Sequence, residues 1–183
     1  MKTLITTLTL TAALGFALPA VAAPAKINSI YTSLKTTDCK TLEFNENEGG
    51  SYKGRCPGTA GYQLLSMEGD LRQSLTVIDP KGKEFPLDLW TNVSGGFSAL
   101  GEKAEWRVKK EGSKTKPIAL IVRFNVSEDP EKPKKTTSYL VVSKITPTEI
   151  CVTDVVKPSS TANKQAVTLA DSASSKACKT PPQ

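Results

Sequence analysis

A chain of 183 residues is long enough for one domain with a sizeable core, and its formal charge of +6 rests on scattered lysines rather than a basic face. It contains no histidine, which removes Ser-His-Asp and Cys-His triads, His-ligated metals and the usual neutral-pH general base. Its four cysteines are an even count without C-x-x-C spacing, a pattern that suits disulfides and not a zinc site.

Residues 1–22 read as an export signal peptide. Lys2 gives a positive start, Leu4 to Leu18 is mostly apolar, and Ala20-Val21-Ala22 supplies a small-x-small cleavage pattern. Cleavage is expected after Ala22, with Ala25 the alternative, and loss of Lys2 leaves a charge of +5. The apolar run is too short, and too broken by Gly15 and Pro19, to span a membrane, and no later stretch is long enough. The expected address is periplasmic or secreted, which argues against nucleic acid as a partner. One disulfide-tied domain is expected over 23–178, and a disordered tail over 179–183.

In chain order, Ala23 to Tyr31 reads as a loose lead-in, and Thr37 to Glu43 as one helical turn capped by Thr37 or Asp38. Asn45 to Gly50 is a turn, Ser51 to Arg55 a short strand, and Cys56 to Gly61 a Pro/Gly loop. Tyr62 to Met67 and Leu71 to Ile78 form a hairpin around Glu68-Gly69-Asp70. Asp79 to Gly82 is a second turn, and Lys83 to Leu89 an edge strand, because Pro86 cannot donate to a ladder. Thr91 to Gly101 reads as a crossover that tucks Phe97 and Leu100 inward.

The strongest strand signal is Lys116 to Val126. Ile118, Leu120, Val122, Phe124 and Val126 recur every second residue, the period of a strand with one buried face. Upstream, Ala104, Trp106 and Val108 alternate with Glu105, Arg107 and Lys109. Pairing the two runs around Ser113 sets Trp106 opposite Leu120 and Val108 opposite Ile118. Glu105, Arg107 and Arg123 then share the other face, as a cross-strand charge cluster on a solvated surface or, alternatively, an anion-binding patch. Thr136 to Ile145 and Ile150 to Val156 are two further strands. Ser159 or Ser160 caps a helix to about Ala173, with Ala162, Ala166, Val167, Leu169 and Ala170 as its apolar stripe.

The fold class expected is mainly β: an antiparallel sheet of about seven strands, curled into a sandwich or partial barrel, with one C-terminal helix. Cys39, Cys56, Cys151 and Cys178 allow three connectivities. Cys39–Cys56 with Cys151–Cys178 is preferred, because each closes a short loop that contributes roughly 3 kcal/mol in the chain-entropy model.

The segments Glu68-Gly69-Asp70-Leu71-Arg72, Gly101 to Arg107 and Pro117 to Arg123 resemble a group of secreted proteobacterial proteins of uncharacterised function over roughly Tyr31 to Val126. The resemblance implies export and a bacterial source, and it carries over no active site.

No cofactor or metal is expected: a phosphate loop and an EF-hand are both missing, the latter despite Glu128, Asp129 and Glu131. Two carboxylates suffice for glycoside cleavage, and Glu68 with Asp70, or Glu102 with Glu105, supply candidate pairs. The binding candidates are Arg107, Arg123 and Trp90, the last because an indole stacks on sugars, whereas Trp106 has core parity. The expected function is a non-catalytic module that binds a protein or an envelope polymer, with a histidine-free hydrolase of envelope glycan as the alternative.

Overall fold

The computed structural model describes residues 26–47, 50–129, 131–132 and 134–180. Residues 1–22, expected as a signal peptide, and residues 181–183 lie outside the described residues. The fold is mainly β, with ten strands in one open, mixed sheet and one C-terminal helix. The strands are β1 (Ile27–Ser33), β2 (Lys40–Asn45), β3 (Ser51–Cys56), β4 (Gln63–Gly69) and β5 (Arg72–Ile78), then β6 (Glu84–Pro86), β7 (Phe97–Glu111), β8 (Lys114–Ser127), β9 (Thr136–Ile145) and β10 (Ile150–Val156). A helical turn α1 (Leu89–Asn92) precedes β7, and α2 (Ala162–Asp171) follows β10.

The sheet order is β10-β9-β8-β7-β5-β4-β3-β2, with β1 added to β7 and β6 to β5. All neighbours are antiparallel except β5 and β7, which run parallel and share one residue pair, Arg72 with Ser98. There the sheet doubles over. Leu64, Leu75, Val77 and Phe85 from one half join Trp106, Leu120, Phe124 and Val141 from the other in one buried cluster. Sandwich packing follows from the alternation of these side chains.

The pairing of Trp106 with Leu120 is the one the spacing predicts. One step on, a bulge shifts Val108 opposite Pro117 rather than Ile118, and the extra residue there is local. β8 buries Ile118, Leu120, Val122, Phe124 and Val126 on its inner face. Its outer face also buries Ala119 and Ile121, beneath Ala162, Ala166 and Ala170 of α2. The small alanines let the helix lie close to the sheet, so the molecule has three layers.

Two stretches expected to be a loose lead-in and a helical turn contain strands. β1 replaces the loose lead-in from Ile27 onward, and Lys40–Asn45 is a strand preceded by a 3₁₀ turn at Thr36–Asp38 rather than one helical turn. Both are held by pairing with a neighbour: β1 on β7 and β2 on β3. β7 begins at Phe97, inside the expected crossover, and Phe97 is exposed rather than tucked in. Thr161, not a serine, precedes α2, and it makes no side-chain cap bond.

The disulfides are Cys39–Cys56 and Cys151–Cys178. The second ties the segment after α2 back to β10, where Lys176 pairs with Asp154 at 2.7 Å and the Lys179 amide donates to the Val152 carbonyl at 2.7 Å. The buried Lys144 completes this strap: its ammonium donates to the Lys176 carbonyl at 2.9 Å and pairs with Glu149 at 2.5 Å. A buried ammonium is tolerable only with such partners.

Candidate functional site

The outer faces of β1, β7 and β8, together with the first turns of α2, enclose a groove of about 570 Å³. Antiparallel pairing places Ser29 opposite Arg107 and Tyr31 opposite Glu105, so all four side chains share this face. The groove floor is apolar, with Ile121, Leu140 and Val167. Its polar lining includes Lys103, Arg123 and Lys164.

Arg107 does not line the groove, and it is not on a solvated face. Its side chain is 9% exposed. Its Nε donates to Asp171 Oδ1 at 2.7 Å and its Nη2 to Asp171 Oδ2 at 3.0 Å, a bidentate fork reaching the end of α2. Its Nη1 donates to Ser29 Oγ and stands 3.7 Å from Glu105. Ser29 Oγ in turn donates to Glu105 at 2.5 Å. The hydrogen bonds from Arg107 to Asp171 raise the guanidinium pKa further above its ordinary value, against the opposing effect of burial. Arg107 is therefore engaged in holding α2 to the sheet. The cross-strand cluster exists, but α2 and β1 cover it.

Arg123 is the contrasting case. Its Nη1 donates to Ser138 Oγ at 2.9 Å and its Nη2 to Asn163 Oδ1 at 3.4 Å. A β-carbon at Gly101 would stand 2.7 Å from Arg123 Cβ, so the missing side chain makes room for the arginine stem. The head is thus aimed by neutral oxygens. Among the described residues, none of Lys103, Arg123 and Lys164 forms an ion pair with a carboxylate. Three cations face a groove whose one lining carboxylate, Glu105, is already committed to Ser29 and Arg107.

Trp90 is not part of this groove. It stands on α1, 45% exposed, beside a separate cavity of about 350 Å³ that Glu68 and Asp88 also line. Trp106 is fully buried and donates its indole N–H to Thr32 at 2.9 Å. Three of the four carboxylates named for glycoside cleavage are engaged with cations: Asp70 accepts from Arg72, Glu102 pairs with Lys35 at 3.4 Å, and Glu105 serves Ser29 and Arg107, whereas Glu68 accepts from the neutral Gln73 amide at 2.8 Å. Glu149 clusters with Cys151 and Cys178, but the sulfurs are oxidised and offer no thiolate to a metal.

Lys103 shares the parity of Glu105 and Arg107, so the alternation already carried the signal for it. Lys164 and Asn163 had no such signal, because their place depends on how α2 lies across β8. Asp88 had none either; it precedes α1 with φ 46°, a left-handed conformation that neighbouring residues do not announce.

No protein-family model, curated protein or solved structure matches this chain.

Proposed function

We propose that the protein is exported and acts as a non-catalytic binding module, whose groove beside α2 receives an acidic segment of a partner protein or envelope polymer. The observation that carries this reading is the set of Lys103, Arg123 and Lys164 around an apolar floor, without carboxylates to neutralise them among the described residues. An uncompensated cationic cleft raises the local concentration of anions and speeds their encounter. The two disulfides are in keeping with an oxidising compartment. The hydrolase reading is weaker. Of its four named carboxylates, Asp70 accepts from Arg72, Glu102 pairs with Lys35, and Glu105 is committed to Ser29 and Arg107.

The test is affinity capture from periplasmic extract, with the mature protein and an Arg123→Ala/Lys164→Glu variant as baits. An acidic partner retained by the first and lost by the second is expected, and retention should fall steeply with salt. Equal retention by both baits sinks the groove as the site. Glycan turnover that vanishes in a Glu68→Gln variant would make the protein a hydrolase instead.

A further inference from the structure

We propose that the cavity beside Trp90 is a second binding site, opposite in sign to the groove, and that it takes a saccharide ring bearing an amino group. This does not rest on the reading of the groove. The cavity lies between the β4–β5 turn and α1 and is lined by Glu68, Arg72, Ser74, Asp88, Trp90 and Thr91. Its volume of about 350 Å³ is in the lower range for small-ligand sites.

The aromatic wall is built on a firm base. Leu89 is fully buried, and Asn92 Nδ2 donates to the Leu87 carbonyl at 2.9 Å, so α1 holds the Trp90 indole out at the surface. Glu68 is preset by an amide: Gln73 Nε2 donates to its Oε2 at 2.8 Å, while Gln73 Oε1 accepts the Leu100 N–H at 2.7 Å. Glu68 Oε1 and the Asp88 carboxylate have no partner among the described residues.

Arg72 does not cancel this charge. Its guanidinium donates to the Gly95 carbonyl at 2.9 Å, to the Asp70 carbonyl at 3.1 Å and to the Asp70 carboxylate, and it stacks on Phe97. The cavity therefore presents one aromatic face and two uncommitted carboxylate groups. Among the described residues Asp88, which lines the cavity, has positive φ; Asp70 and Leu71 have it too, as the two-residue turn of the adjacent β4–β5 hairpin requires.

An ammonium over Trp beside carboxylates is favoured by both cation–π attraction and ion pairing. A lysine tip alone offers three donors and no acceptor, which leaves the O–H donors of Ser74 and Thr91 without a partner. A sugar ring carries donors and acceptors around its whole rim and an apolar face for the indole.

The chain has two tryptophans, and the buried Trp106 serves as an internal reference. Full-length mature protein is titrated with glucosamine trimer, N-acetylglucosamine trimer and trilysine, and emission and iodide quenching are followed. The expected result is a saturable blue shift with glucosamine trimer, and loss of the iodide-accessible component. Binding should weaken about tenfold with the N-acetylated trimer and in each of Glu68→Gln and Asp88→Asn. Trp90→Phe should abolish the shift while Trp106 emission stays native. Absence of a saturable change up to about 10 mM overturns the site. Trilysine binding as tightly as glucosamine trimer overturns the saccharide assignment, and unchanged binding by both carboxylate variants overturns the location.

Discussion

Around α2, charge is neutralised inside and left bare at the rim; around Trp90, cations are tied up and carboxylates are left open. Arg107 is almost fully enclosed and forked onto Asp171, while Arg123 is aimed by a serine and an asparagine. On the other side Arg72 is committed to Asp70, Gly95 and Phe97, while Glu68 is held by an uncharged amide. In both regions a buried or half-buried charge fixes the architecture, and a neutral hydrogen bond positions the group left available. A neutral positioner orients a charge without cancelling it, which an ion pair cannot do.

The sharpest way to break this comparison is Asp171→Ala. It removes the bidentate partner of the buried Arg107 guanidinium and leaves it only Ser29 and the more distant Glu105, so the expected loss is about 3 kcal/mol in denaturant unfolding. Arg107→Met with Asp171→Leu should recover most of that loss, since apolar replacement of a buried pair is close to neutral. A small loss for Asp171→Ala would mean that the α2 side is not held by charge.

Next in size is removal of the Cys151–Cys178 bridge by double replacement with Ala. The expected cost is roughly 3 kcal/mol from the unfolded chain, read as a lower denaturant midpoint, and the Trp90 emission should shift as well, because Cys151 and Cys178 line one cavity with Asp88, Thr91 and Asn92. Gly101→Ala should cost about 1–3 kcal/mol through overpacking, because the new methyl meets Arg123 Cβ at 2.7 Å. It should also misdirect the Arg123 head, so capture of the acidic partner falls further than stability does.

Leu71→Asn should move stability the other way. Leu71 is 57% exposed with φ 57°, so little burial is lost, and asparagine tolerates the left-handed region better by up to about 1 kcal/mol. Its melting temperature should rise.

The smallest effect concerns pH. Tyr139 donates to Glu128 at 2.5 Å, which pushes the phenol pKa up to about 12 and holds the carboxyl below its usual range. The depressed carboxyl contributes stability above its unfolded pKa that is lost as pH falls through the folded value. The raised phenol contributes stability below its unfolded pKa of about 10 that is lost as pH rises through the folded value. Tyr139→Phe should flatten both limbs of the melting-temperature profile against pH, by a small amount because Glu128 is exposed.

Much of the fold was legible because the large apolar residues of β8 alternate and those of β9 and β10 are dense, although β8 is buried on both faces and β9 buries its last six residues without a break. Trp106 opposite Leu120 could be read off the spacing for the same reason. β2 was not read as a strand: only Leu42 and Phe44 alternate, two positions are too few to set a strand apart, and all six of its residues are exposed. β1 places Ile30 against Trp106 but sets Ile27 and Tyr31 on other registers, so its apolar residues do not alternate. The basic character of the groove was half legible. Arg107 and Arg123 were recognised as sharing a face, yet which of them is free depends on Asp171 and Asn163, 64 and 40 residues away in the chain. Trp90 and Glu68 were both identified, but Glu68 stands near the end of β4 and Asp88 in a left-handed conformation, and no spacing brings either beside the indole.

The junction between β5 and β7 has a kinetic consequence. Sheet pairing between the halves of the sandwich rests there on Arg72 and Ser98 alone, with the Ser98 amide donating to the Leu71 carbonyl at 3.0 Å. Side-chain interdigitation, rather than a continuous ladder, must then keep the halves in step. Deuterium uptake should divide at that seam, with the β2–β4 amides exchanging through openings that leave β8 and β9 protected.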